Sequence, residues 1–101
     1  MAIQQVTLDN NQVQAVITGS IYVEDAAEIM GEFLGLIDKG YTKFLIDLSA
    51  VDYIDSAGIG TLIAVHKRAR KHDGGVVVKG LNGIVKELFE LTRVDKVLDV
   101  V

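Results

Sequence analysis

Lys43-Phe44-Leu45-Ile46-Asp47-Leu48-Ser49-Ala50-Val51-Asp52-Tyr53-Ile54-Asp55-Ser56-Ala57-Gly58-Ile59-Gly60-Thr61 changes character twice along its length. Its first five or six residues form a near-continuous apolar run, the pattern of a strand in the middle of a sheet, covered on both faces or shielded at its ends. Ser49 to Asp55 then reads as a loop. From Ser56 the apolar spacing becomes helical, with Ile59, Leu62, Ile63, His66 and Ala69 sharing a face. Asp55 and Ser56 stand at the junction, and either side chain can accept from the free N–H groups of a first helical turn. Ser56 is therefore first a cap candidate, with Gly58 and Gly60 shaping a small-residue turn around it.

Upstream of this stretch, residues 3–8 and 13–18 alternate imperfectly around Asp9-Asn10-Asn11-Gln12. Asn tolerates positive φ, so the pattern predicts a hairpin, closed after the second strand by Gly19. Asp25 followed by Glu28 reads as a capping pair for a helix with apolar positions Ala26, Ile29, Met30, Phe33, Leu34 and Ile37, ending near Gly40. Gly31 and Gly35 lie one turn apart in that helix, where each costs about 1 kcal/mol relative to Ala, and close packing against a neighbour is the expected reason for them, with a partner surface as the alternative.

Downstream, His72-Asp73-Gly74-Gly75 stops the second helix and Val76-Val77-Val78 supplies a further buried strand. A third helix carries Ile84, Val85, Leu88, Phe89 and Thr92, with Asn82 as its expected cap. Residues 94–101 fit a helical turn followed by an edge strand. The order is strand, strand, helix, strand, helix, strand and helix, with the type of the last segment open between turn and strand. It predicts one α/β domain over residues 1–101, a mixed β-sheet packed with helices and joined by right-handed crossovers.

Composition narrows the function. The 101 residues carry a formal net charge of -4, which argues against direct nucleic-acid binding or a general affinity for anionic membranes. The one basic cluster, Lys67, Arg68, Arg70 and Lys71, reads as a solvated helix face. With no cysteine there is no disulfide framework or thiolate metal site, and no apolar run approaches the roughly 20 residues of a membrane span. The expected setting is cytoplasmic, with no membrane insertion.

Catalysis requires a constellation, and the chain supplies little of one. His66 and His72 are the only histidines; six residues apart, they do not share a helix face. His66 reads as a packing residue and His72 as a favourable charge near a helix C-terminus. Asp47 and Asp52 read as loop-capping or solvated carboxylates. Ser56 is not in a Gly-x-Ser-x-Gly elbow, and Gly58-x-Gly60 lacks the rest of a dinucleotide or nucleotide loop. The expectation is a non-enzyme with no metal and no cofactor. What the stretch offers is access: Ala57 and Gly58 leave the Ser56 hydroxyl open to another protein's active site.

The segment 43–60 resembles the signature of the STAS domain family, in particular bacterial anti-sigma factor antagonists. The similarity continues through Thr61 to Lys71, Gly74 to Val78, Val85 to Thr92 and Val94 to Val97. The resemblance implies partner switching. An unphosphorylated antagonist binds an anti-sigma factor serine kinase, is released when that kinase phosphorylates it, and is reset by a serine phosphatase. The phosphorylated residue would be Ser56, and Tyr22, Asp55, Ser56, Ala57, Gly58, Ile59 and Gly60 would meet the partner. ATP and metal would belong to the partners. The alternative implied by the same family is a non-switching scaffold or accessory subunit of a stress-sensing or lipid-transport complex. The chain departs from the common Gly-x-Leu-Asp element by reading Gly19-Ser20-Ile21-Tyr22, so Tyr22 stands in place of an acid.

Overall fold

The computed structural model describes residues 1–101, apart from the side chain of Gln5. Five strands lie side by side in chain order: β1 (Ala2–Asp9), β2 (Gln12–Ile21), β3 (Lys43–Ile54), β4 (Gly75–Lys79) and β5 (Asp99–Val100). β1 and β2 form the expected antiparallel hairpin, with Asn10 at φ 56 in its turn. Every later pairing is parallel, so the sheet is mixed. Three helices, α1 (Ala26–Asp38), α2 (Ser56–Arg70) and α3 (Gly83–Leu91), supply the crossovers.

The sheet buries one of its faces. Val13, Ala15 and Ile17 of β2, Phe44, Ile46 and Leu48 of β3, and Val76 and Val78 of β4 point into a core completed by Ile29 and Phe33 of α1 and Leu62 and Val65 of α2. Phe33 meets Phe44 edge to face with ring centroids 5.4 Å apart, which locks α1 onto the central strand. The alternating residues Gln14, Leu45, Val77 and Lys79 are half-buried or exposed. The apolar run at 44–48 is thus covered on one face, not both. Its neighbours β2 and β4 explain the central position that the sequence suggested.

The largest departure from expectation is the span Ser49 to Asp55. It is strand, not loop, as far as Ile54. β2 continues alongside it, pairing Thr18 with Ala50, Gly19 with Val51, Ser20 with Tyr53 and Ile21 with Ile54. Register shifts between Val16 and Thr18 and between Gly19 and Ser20 break the two-residue alternation, so the buried positions Val51 and Ile54 fall three apart. That spacing conceals a strand from periodicity. The tail forms a 3-10 turn at Val94–Lys96 and then the short edge strand β5.

Three local readings are corrected. Gly31 and Gly35 face open space, so close packing does not explain them. Asn82 stands at the N-cap of α3 without capping it; its Nδ2 donates instead to the carbonyls of Ser49 (3.2 Å) and Gly80 (2.9 Å), tying that loop to β3. Asp25 precedes α1 but makes no cap bond to that helix. A 3-10 turn at Val23–Asp25 comes first, and the Asp25 carboxylate accepts from the Tyr22 N–H at 2.7 Å.

His66 is the packing residue the sequence suggested, with a specific task. The β4–β5 ladder pairs Val77 with Asp99 and Val78 with Val100, and beside it the Val76 N–H donates to His66 Nδ1 at 2.9 Å. An acceptor at Nδ1 requires the neutral imidazole with its proton on Nε2. Burial lowers the His66 pKa, assisted by Arg70 and opposed by Asp99. The neutral form is thus favoured in the native state more than in the unfolded chain. Its stabilisation is complete above the ordinary histidine value of about 6.5 and is lost as pH falls through the lower native value. Urea midpoints should therefore fall as pH drops below about 6.5, and His66→Gln should flatten that dependence.

Candidate functional site

The parallel strands β2 and β3 end together at Ile21 and Ile54, and the chain turns there into a 3-10 turn on one side and α2 on the other. The Asp55 N–H donates back to the Ile21 carbonyl at 3.0 Å, so both strand ends stay in register to the last residue. α2 then begins directly at Ser56. Ala57, Gly58, Ile59 and Gly60 are consequently its first turns, not a separate turn preceding it.

The cap is Asp55 rather than Ser56. Its Oδ1 accepts from the Gly58 N–H at 2.9 Å, and its backbone carbonyl accepts the Ile59 N–H at 3.0 Å. The other oxygen, Oδ2, accepts from the Val23 N–H at 3.0 Å. One carboxylate therefore ties the start of α2 to the connection between β2 and α1. Ser56 is left at the first helical position, exposed, with no hydrogen bond from its hydroxyl among the described residues.

Gly58 and Gly60 have different roles. A Cβ on Gly58 would lie 2.8 Å from Ile21 Cγ2 and 2.8 Å from Ile54 Cγ1, so the missing side chain lets α2 sit down on the two strand ends. Gly60 is exposed and faces open space. Ile59 is buried beneath the first turn, and the Thr61 hydroxyl donates to the Ala57 carbonyl at 2.8 Å. Of the seven residues expected at the site, Asp55, Ser56, Ala57, Gly58, Ile59 and Gly60 are one continuous cap and helix start. Tyr22 is brought beside them across the sheet, 44% exposed.

Two residues were not singled out from the sequence. Tyr53 stacks against Tyr22 with ring centroids 5.7 Å apart and planes tilted by 39°, and Val23 adjoins Tyr22 and is 63% exposed. Only the β2–β3 register puts Tyr53 opposite Ser20, so this pairing was hidden as long as 49–55 read as a loop. Asp47, a candidate acid, has its pKa lowered, first by the Ser49 N–H bond at 2.9 Å and then by the Ser49 side chain and Lys79. It lies within β3, bonded to the N–H two residues on in the same strand rather than capping a loop, and is a poor proton donor. His66 lies ten residues along α2 from Ser56, about 15 Å by helical rise, and is occupied by Val76. No group of His, Asp and Glu that could hold a metal occurs among the described residues.

An exposed serine thus stands at the first position of a helix that starts where two parallel strands of a mixed α/β sheet end. The family model for the STAS domain matches residues 4–101, and the chain belongs to that family. It is 32% identical over 78 residues to BtrV of Bordetella bronchiseptica, a proposed anti-sigma factor antagonist, covering 77% of this chain and 67% of that one. It is 27% identical to the anti-sigma-B factor antagonist of Bacillus subtilis, covering 91% and 84% of the two chains. Among solved structures, TM1081 of Thermotoga maritima superposes with a TM-score of 0.87 at 22% identity, over 95% of this chain and 83% of that one. The phosphorylated form of the Bacillus cell fate determinant SpoIIAA shares the fold at 11% identity, with a TM-score of 0.75 over 96% and 89% of the chains. No helix among the described residues is long and apolar enough to cross a membrane.

Proposed function

We propose that this chain is an anti-sigma factor antagonist that works by partner switching. Unphosphorylated, it binds an anti-sigma factor serine kinase; phosphorylated on Ser56, it is released; a serine phosphatase restores it. ATP and metal are carried by those partners, and the domain, residues 1–101, acts in the cytoplasm as a substrate and binding module with no catalysis or cofactor of its own. Tyr22 and the outward-facing part of the segment Asp55 to Gly60 meet the kinase, while Gly58 and Ile59, buried beneath it, fix its position.

The observation that carries this reading is Ser56 itself. Ser56 is exposed, its hydroxyl makes no hydrogen bond among the described residues, and the Asp55 carboxylate before it is bonded both to the first turn of α2 and to the Val23 N–H. A nucleophilic serine requires an adjacent base, and the nearest histidine on α2 is occupied elsewhere. A serine offered to an external enzyme requires only reach and a defined position. The relatives support the reading through their names as anti-sigma factor antagonists, and SpoIIAA through its phosphorylated and unphosphorylated forms.

Incubation with the anti-sigma kinase of the same organism and ATP, followed by peptide mass mapping, is expected to place one phosphate on Ser56 and none on Ser56→Ala. A kinase active on its own substrate that leaves Ser56 unmodified would refute the proposal. Affinity capture that returned transport proteins and no kinase would favour the scaffold role instead.

A further inference from the structure

We infer that the stacked rings of Tyr22 and Tyr53 are the anchor by which the kinase holds this chain, and that they enter an apolar socket on the kinase surface. The inference rests on Ser56 being that kinase's substrate.

Tyr22, Val23 and Tyr53 are 44%, 63% and 37% exposed, and the two rings are in contact. Large rings left in water beside one another are the side chains most often found to dominate binding energy at protein interfaces. These rings are also held in place. The Tyr22 N–H donates to Asp25 Oδ2 at 2.7 Å, and the Tyr22 carbonyl accepts the Asp25 N–H at 2.9 Å. The next N–H, that of Val23, is bound by Asp55 Oδ2. Tyr53 sits within β3, paired with Ser20 of β2. A partner that closes on this patch therefore has little backbone to order, which removes much of the usual cost of docking on a loop.

The same hydrogen bonds explain why the kinase is the occupant. Asp55 holds the turn bearing Tyr22 with one oxygen and the first turn of α2 with the other, and Ser56 is the first of the two residues between Asp55 and Gly58. The backbone turn that carries Tyr22 and the helix start that carries Ser56 are thus tied together by one carboxylate. A protein that brings an active site to Ser56 approaches a helix start joined to the Tyr22 turn through the Asp55 carboxylate, and in this inference it covers the rings as it does so. Its complementary chemistry at the rings is apolar, because Asp25 and Asp55 turn their carboxylates onto backbone N–H groups, while the exposed carboxylates of Glu24 and Asp52, chain neighbours of Val23 and Tyr53, call for basic groups at the socket's rim.

The test uses the full chain and the kinase that phosphorylates it, with Kd from titration calorimetry and KM and kcat from phosphate transfer to Ser56. Tyr22→Ala and Tyr53→Ala should each raise Kd and KM roughly tenfold or more while kcat is kept. Tyr22→Phe and Tyr53→Phe should bind as the wild type does, since the ring and not the hydroxyl fills the socket. Alanine variants that bind and turn over like wild type would overturn the inference. So would phenylalanine variants that lose as much as alanine, which would assign the affinity to the hydroxyls. Sedimentation of the chain alone that changed in Tyr22→Ala, with kinase affinity intact, would assign the patch to self-association and overturn it as well. If the wild-type chain took no phosphate at Ser56, the substrate reading would fail first, and that result is separable from all the others.

Discussion

Gly74→Ala is expected to cost at least about 3 kcal/mol of folding stability and to lower Tm by more than about 12 °C. Gly74 is buried where α2 gives way to β4, with its N–H donated to the Ala69 carbonyl at 2.9 Å. A Cβ there would overlap the Thr42 carbonyl and approach Thr42 Cβ at 2.7 Å. The obstruction is backbone, so no rotamer relieves it. Nor can Thr42 withdraw freely: its carbonyl accepts the Gly75 N–H at 2.9 Å and its own N–H is bound to the Asn11 carbonyl at 3.0 Å. Making room means separating β3 from β4 where Lys43 pairs with Gly75, beneath the buried Phe44 and Val76. Gly60→Ala is the control, because it adds a Cβ in open space on a helix and should stabilise by about 0.5–1 kcal/mol. Thermal unfolding followed by circular dichroism compares the two; a fall of less than about 4 °C for Gly74→Ala would show that the strands can part at little cost.

Gly74 also shows what the sequence conveys and what it withholds. Gly74-Gly75 reads correctly as the end of a helix, because glycine is a poor helix former whatever lies around it. That Gly74 also admits the Thr42 carbonyl depends on a parallel partner that is more than thirty residues away in the chain. The same division runs through the fold. Element order and type follow from apolar periodicity, which is local. The length of β3 does not, because its last residues owe their strand character to β2 and its register shifts.

At the site, the junction of Asp55 and Ser56 was evident from residue types, since both are good acceptors and a helical pattern starts there. Which of the two caps was not, because the choice depends on the Val23 N–H arriving from the other strand end to share the Asp55 carboxylate. Asp25 and Asn82 were misread for a related reason. Short polar side chains beside a helix start have several backbone partners within reach, and the tertiary path decides among them. Tyr53 carries no local signal at all. An aromatic residue in a strand is ordinary, and its importance comes from Tyr22 across the β2–β3 pairing.

Ser56→Asp is expected to weaken kinase binding roughly 30- to 3000-fold while leaving the isolated domain at least as stable as wild type, and Ser56→Ala should retain the affinity. The opposite signs arise from one charge in two surroundings. In the free chain, residue 56 is exposed at the first position of α2, and the N–H groups of Ser56 and Ala57 have no acceptor among the described residues. A carboxylate near the start of a helix gains about 0.3–1 kcal/mol from such groups. The Asp55 carboxylate opposes the new charge, but its two oxygens already accept the Val23 and Gly58 N–H groups, which disperses its own. Against a kinase surface shaped for a neutral hydroxyl, the charge must be stripped of water without a matched partner. That penalty exceeds what the helix returns. Phosphate at Ser56 carries about 1.5 to 2 negative charges and should act in the same direction more strongly. Calorimetry on Ser56→Asp and Ser56→Ala, beside their unfolding curves, separates the two effects. Equal affinity for both variants would mean that charge at residue 56 does not govern release, and a marked loss of stability in Ser56→Asp would place the repulsion from Asp55 above the pull of the helix.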